Sequence, residues 1–290
     1  WVIMREKSIS CNEKDSLLFG SVIYSDALKY FDEFIDSISR QTSNNFNILL
    51  LIDGISIEEV ERRIWSIQSR CRVVSYREKY TPAQLRVKLL QEARKYKADI
   101  LVIGDADDLF SDNRVESIIN TFERNLDADF VYNELLFFDG TRVMPEIPEQ
   151  LSDIECIAEK NFLGMSNTAI KIGALDDSFI NSLLECDSFV FDWYLYSRML
   201  LAGYKGTKVK GAYTLYRIHD SNYAELPITT EEAIKREIEI KKQHYKLLKK
   251  NDKLFDILYS CYSDGRIRKT DSENQMKTSH YWWNLTKGLK

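Results

Sequence analysis

No long apolar run occurs in the sequence. Its longest, "NILLLI" (47–52) and "ILVIG" (100–104), fall far short of the roughly 20 residues needed to cross a bilayer, which excludes a spanning helix within them. The opening "WVIMREKSISCNEKD" carries charge where a secretory signal would have its apolar core, so a cytoplasmic protein is expected. Cysteine is sparse and unpatterned: five residues, at 11, 71, 156, 186 and 261, without CxxC spacing and with one left over. That excludes a disulfide frame or a structural zinc site and points to reduced thiols. Histidine is scarcer still, with three residues, and there is no internal repeat or low-complexity segment. Positive charge is short in the body of the chain. Residues 1–230 hold 26 Lys+Arg against 36 Asp+Glu, a field that would repel a phosphate backbone, so no nucleic-acid partner is expected.

Hydrophobic residues (44%) and charged residues (29%) stand in the proportion of a globular protein with a sizeable core. The first half alternates continuous apolar runs with helical patterns. Strands are expected at 17–24, 46–53, 71–76 and 100–104, and helices at 26–41, 56–68 and 81–96. Asp26 suits the first helix N-terminus, Ser56 with Glu59 has capping-box spacing, and Pro82 sits in a first turn. Strands that are apolar throughout belong to a parallel sheet covered on both faces. An α/β, doubly wound, mainly parallel sheet with helices on both faces follows, and ligands there bind beyond the carboxyl ends of the strands. Further on, 127–143 is expected as two strands about Asp139-Gly140, 161–175 as loop and short helix, 189–205 as a helix ended by Gly203, and 206–222 as a strand. From 229 the chain is helical and lysine-rich. The division expected is a catalytic domain over 1–228 and a basic helical extension over 229–290, where 14 Lys+Arg face 9 Asp+Glu.

Expected strand ends carry Tyr24-Ser25-Asp26, Asp53-Gly54 and "DADD" (105–108). Three carboxylates in four positions need a counter-charge. Oxygen donors of this kind suit Mg²⁺ or Mn²⁺, which takes one or two carboxylates plus substrate phosphates. The alternative is an acidic turn that caps the next helix through Ser111 or Asp112.

Read in order, "VIYSD", "SISRQT", "LLIDG", "TPAQLRVKLLQEA", "IGDADD", "FDWYLYSRMLLAGYK" and "LYRIHDSN" resemble the inverting nucleotide-sugar glycosyltransferases of family 2, over about residues 17–222. The resemblance implies the GT-A form of the Rossmann-like fold and transfer of a sugar from a nucleoside-diphosphate donor, with a UDP-sugar favoured. It also implies a divalent cofactor, Mn²⁺ or Mg²⁺, and a saccharide or lipid-linked acceptor of the kind used in surface polysaccharide synthesis.

Carried residue by residue, the resemblance puts Tyr24 and Asp26 around the donor base. It makes Asp53 an acceptor from the nucleobase, the alternative being an exposed turn residue before Gly54, and sets Arg86 near the pyrophosphate. Asp105 would hold the ribose and Asp107 the metal, while Asp108 either orients the phosphates or caps the next helix. Asp192 is the expected base for the acceptor hydroxyl, or else a helix cap. The family has two acids where this chain has Phe191-Asp192, so Asp187 or Glu185 is a candidate to compensate. His219 would be a further metal ligand or a donor to the diphosphate. Arg217 would contact phosphate or pair with a carboxylate. Trp193 would stack on an acceptor sugar or pack in the core.

The basic tail has two readings: attachment at a membrane surface, or packing of its apolar face on the body or a partner subunit, the second being favoured. Rival functions fit less well. A nucleotidyltransferase would need a glycine-rich basic loop in place of "VIYSDALKYF", and a DxDx(T/V) phosphatase would need Thr or Val in place of Asp108. A catalytically dead binding module would not need Asp105, Asp107, Asp192 and His219 intact.

Overall fold

The computed structural model describes residues 17–144, 146–188, 190–218, 230–269 and 285–289. Strand β1 (Leu17–Tyr24) leads through a single 3₁₀ turn (Ser25–Lys29) into α1 (Phe31–Ser39), followed by β2 (Asn47–Asp53), α2 (Ile57–Arg63), β3 (Cys71–Ser75), α3 (Pro82–Lys95) and β4 (Ile100–Ile103). These four strands pair in parallel in the order β3-β2-β1-β4. Alternate residues feed two cores. Phe19, Ile48 and Leu50 meet α1 and α2, while Leu18, Leu49 and Leu51 meet α3 on the other face. Both faces are covered, as the unbroken apolar runs require.

Four short elements follow: β5 (Leu109–Phe110), α4 (Arg114–Arg124), β6 (Phe130–Leu136) and β7 (Gln150–Leu151). Then come β8 (Thr168–Ile170), α5 (Asp177–Ser182), α6 (Phe191–Leu201) and β9 (Gly206–Leu215). The sheet continues β4-β8-β6-β9-β5, with β7 also on β9. The β6–β9 ladder is parallel, whereas β8 is antiparallel to both β4 and β6. Most paired residues lie in parallel ladders. Strand β8 falls within the segment expected as loop and helix; three residues are too few to show a period, and only its place between two strands makes "TAI" a strand.

Two helix expectations change. The helix over 26–41 breaks at Tyr30, leaving the 3₁₀ turn and α1. The next helix is not capped by Ser111 or Asp112. Ser111 Oγ instead accepts the Tyr213 N–H, and Asp112 pairs with Arg40. A residue remote in sequence serves α4: buried Gln41 accepts the Val115 N–H at 2.9 Å and donates to Ser37 O and Ser111 O. Gln41 and Thr42 thereby staple the end of α1 to the start of α4. Helix α3 forms as expected and is strengthened by a full Thr81–Gln84 capping box.

The C-terminal part contains α7 (Thr230–Leu248), α8 (Lys253–Ser263) and the ribbon of β10 (Ile267–Lys269) with β11 (Thr286–Gly288). Ile234, Glu237, Ile240, Lys241, His244, Tyr245 and Leu248 make one buried face of α7. The apolar face of the tail is thus packed on the body. His244 lies 3.7 Å from Trp193 of α6, ring centroid to ring centroid, with the two rings stacked nearly parallel. Lys241 and Glu237, wholly buried, pair at 3.0 Å. Glu237 accepts the N–H groups of Leu285 and Thr286, Lys241 donates to Thr286 O, and Glu159 of the body accepts the Gly288 N–H. The aromatic "HYWWN" (280–284) lies outside the described residues. Among the described residues no helix is long and apolar enough to cross a membrane.

Two predictions follow from this packing. Burial holds the His244 imidazole well below its ordinary 6.5. The folded state therefore stays neutral at this residue while the unfolded chain binds a proton below that pH, so stability falls on acidification by up to about 1.4 kcal/mol per pH unit. His244→Phe keeps the stack and removes the titration. Urea unfolding at pH 7.5 and 5.5 should show a smaller acid loss in the variant, and parallel losses would reject the assignment.

Lys241→Met leaves Glu237 buried and unpaired and should destabilise by roughly 3–5 kcal/mol. Adding Glu237→Leu should recover a large part of that in the same unfolding assay. A double variant no better than the single would show that the pair is not the cause.

Candidate active site

The glycine after β4 begins the site. A side chain at Gly104 would meet the Phe110 ring at 2.5 Å and the Phe19 ring at 2.8 Å, so only glycine lets both aromatics wedge under the turn that follows. That turn, Asp105–Asp108, closes with the Asp108 N–H on Asp105 O. It is fastened from three sides. Tyr24, at the end of β1, donates its hydroxyl to Asp107 Oδ2 at 2.9 Å. The Asp105 N–H donates to Ser166 Oγ, just ahead of β8, at 3.2 Å. Beyond β9, the Arg217 N–H donates to Asp108 Oδ1 at 2.9 Å and its Nε to Asp107 O at 2.8 Å.

Crowding shapes the charges. Burial, then the charges of Asp107 and Asp192, push the Asp105 carboxyl up to about 6, against the pull of Arg86. Arg86 Nη2, from α3, stands 3.8 Å from Asp105 Oδ1. Asp108, almost wholly buried, is raised well above the carboxylate range by burial and then by Asp107 and Asp105, and its Oδ2 has no hydrogen-bond partner. Asp192 is also raised by burial, opposed first by Arg86 and then by the Trp193 N–H. Burial, with the charge of Asp107 next, drives the Tyr24 phenol up, so it stays a donor.

Asp192 is the second residue of α6 and accepts the Trp193 N–H at Oδ1, 2.7 Å away. Val190, not Asp192, is the N-cap. Gly164 faces Asp192: a Cβ there would lie 3.7 Å from Oδ2. The structure therefore brings Tyr24, Arg86, Asp105, Asp107, Asp108 and Asp192 into one neighbourhood. Asp53 stands beside Tyr24 in register at the end of β2. Asp26 is exposed on the 3₁₀ turn, and Asp187 and Glu185 are exposed ahead of α6. His219 lies outside the described residues.

Two expectations are resolved by packing. The expectation that Trp193 stacks on an acceptor is overturned. Its indole is wholly buried, donates Nε1–H to Ile157 O at 2.6 Å and stacks on His244, so it is core. Arg217 pairs with a carboxylate, Glu33, at 2.8 Å, and its guanidinium lies between the rings of Tyr30 and Phe138 at 4.3 and 4.5 Å. It holds the acidic turn to α1. Sequence reading passed over Ser166, Gly164 and Arg114. Only Arg114 left a signal, a cation in the first turn of a helix, where the macrodipole disfavours it.

Among the described residues no three His, Cys, Asp or Glu side chains form a metal cage of their own. What the turn offers is a pair of hard carboxylates, Asp105 and Asp107. That fits a hard cation whose remaining ligands come from substrate phosphates.

The family model "Glycosyl transferase family 2" matches residues 22–181, more than half of the chain and the part that supplies the acidic turn. No curated protein matches the chain. Among solved structures, S. aureus TarS in complex with UDP-GlcNAc superposes with a TM-score of 0.56 at 12% identity, covering 86% of this chain and 73% of that one. The mannosyltransferase PcManGT from Pyrobaculum calidifontis, with GDP-Man and Mn²⁺, gives 0.54 at 14% identity over 84% and 68%. GalNAc-T7 with UDP, GalNAc and Mn²⁺ gives 0.58 at 12% over 90% and 53%. At such identities these likenesses speak for the fold alone, and it is the family match that classifies the chain: the protein belongs to glycosyl transferase family 2 and is a glycosyltransferase.

Proposed function

We propose that the protein transfers a sugar, with inversion, from a nucleoside-diphosphate sugar to a hydroxyl of a saccharide or lipid-linked acceptor. A UDP-sugar is the first candidate donor, the cation is Mn²⁺ or Mg²⁺, and surface polysaccharide or glycoconjugate synthesis is the setting. The observation that carries this reading is the acidic turn Asp105–Asp108 beyond the carboxyl end of β4, with the Tyr24 hydroxyl on Asp107 at 2.9 Å and Arg86 3.8 Å from Asp105. The structures that share the fold hold UDP-GlcNAc, GDP-Man or UDP, two of them with Mn²⁺, which supports the donor class and the cation.

Chemistry follows from the residues. Asp192 accepts the proton of the acceptor hydroxyl as that oxygen bonds to the anomeric carbon, while the bond from that carbon to the diphosphate oxygen breaks on the opposite face. Burial makes this carboxylate more basic than an exposed one, and Arg86 with the first-turn N–H opposes that rise. Asp107 and Asp105 would hold the cation and the ribose, with Asp53 and Tyr24 toward the base. Bound there, the cation supplies positive charge to the departing diphosphate.

Asp192→Asn keeps size and hydrogen bonding but cannot take the proton. Turnover should fall by roughly 10²–10⁴, with donor affinity and melting temperature little changed. A near-normal rate would dismiss Asp192 as base and turn the search to Asp187 or Glu185.

Donor binding should depend on the cation. Calorimetry of UDP should give markedly tighter binding in Mn²⁺ than in EDTA, and Asp107→Asn should weaken the metal-dependent part while leaving the fold intact. Equal affinity in both buffers would remove the metal from the mechanism.

A further inference from the structure

Arg114 opens α4 yet is wholly buried, at a position where the helix dipole works against it. Its contacts lie under the acidic turn. Nε donates to Asn133 Oδ1 at 2.9 Å, and Nη2 donates to Ile103 O at 2.8 Å and Thr168 O at 3.2 Å. These acceptors sit on β6, β4 and β8, three neighbouring strands. Ile103 precedes Asp105 by two residues, and Thr168 follows Ser166, the acceptor for the Asp105 N–H. Asn133 donates to Thr214 Oγ1, which donates to Ser166 O, so the circuit under the turn closes on itself.

Two buried atoms are left over by this circuit, Arg114 Nη1 and Asp108 Oδ2, one a donor and the other an acceptor. The carboxylates that act on Arg114 include Asp108, first among the charges, and Asp105. Burial pulls the guanidinium to about 9, so it remains a cation at neutral pH. A buried carboxyl whose second oxygen lacks a partner is costly, and the rim arginine, Arg86, stands by Asp105 at 3.8 Å instead.

We propose that Arg114 is a positioning residue of the transfer site, a buried counter-cation that holds the Asp105–Asp108 turn from beneath and acts through Asp108. It touches no substrate. The proposal rests on reading that turn as the donor site.

The test uses the full chain and four variants: Arg114→Met, Arg114→Lys, Asp108→Asn and Arg114→Met with Asp108→Asn. Two quantities are read, UDP affinity in saturating Mn²⁺ and melting temperature. Arg114→Met should bind UDP at least ten-fold more weakly. Arg114→Lys, which keeps the charge and loses the fork, should fall between it and the wild type. The melting loss from Arg114→Met should shrink in the Asp108→Asn background, because the carboxyl through which Arg114 acts has been replaced. Wild-type UDP affinity in folded Arg114→Met, or additive melting losses, would overturn the proposal. If Arg114→Met alone fails to fold, recovery in the double variant supports it, and failure of the double while Asp108→Asn folds overturns it. Should the wild type bind no UDP with or without Mn²⁺, the donor reading fails, and the melting cycle alone decides whether Arg114 answers Asp108.

Discussion

Like charge held in a confined place is the constraint on which this structure turns. Asp105, Asp107, Asp108 and Asp192 meet beyond the carboxyl ends of the parallel strands. At an effective dielectric near 20, one pair of charges 4 Å apart already interacts by about 4 kcal/mol. The protein answers with three arginines that differ in depth. Arg86 stands at the rim, 27% exposed, between Asp105 and Asp192. Arg217 lies behind the turn and ties it to Glu33. Arg114 lies beneath it, wholly buried. Even so the carboxyls of Asp105, Asp108 and Asp192 remain raised. The cluster keeps an unmet demand for positive charge.

Sheet topology serves that cluster. A purely parallel sheet would carry the chain away from the turn after β4. Strand β8, inserted antiparallel between β4 and β6, instead sets the residues just before it against the turn. Ser166 thereby accepts the Asp105 N–H, and Gly164 faces Asp192 without a side chain in the way. Asn167 locks this segment, donating to Asn133 O and Phe162 O while its Oδ1 accepts the Gly164 N–H. The loop opposite Asp192 is therefore held by buried amides rather than by regular strand pairing.

How much of this was legible in the sequence depends on the range of the interaction. Strands β1 to β4 showed in their apolar runs because both faces are buried, and α3 showed in its period and Pro82. The "DADD" turn stood out as three carboxylates at a strand end, whereas Arg86 and Asp192 were reached only through the resemblance to family 2. What stayed hidden was decided by tertiary contact. The cap of α4 comes from Gln41, more than seventy residues away, not from the adjacent Ser111. Strand β8 is too short to show a period. Trp193 could have faced solvent or core, and only the arrival of His244 from α7 makes it core. A buried arginine at a helix start is equally invisible to periodicity, which reads Arg114 as an exposed polar position.

The same stack links the two parts of the chain. Asp192 and Trp193 are neighbours on α6, and the second is fixed between the body and α7 by its bond to Ile157 O and its contact with His244. Helix α7 is in turn held by the buried Glu237–Lys241 pair, whose spare hydrogen bonds go to the backbone of Leu285 and Thr286. A buried ion pair adds little net stability over an apolar pair of the same shape, because desolvation offsets most of the attraction. What it does impose is register, since each oxygen and proton must find its partner. The strand at 286–288, helix α7 and helix α6 thus have one mutual arrangement that satisfies those bonds. The orientation of Asp192 toward the acidic turn is fixed from the side of α7.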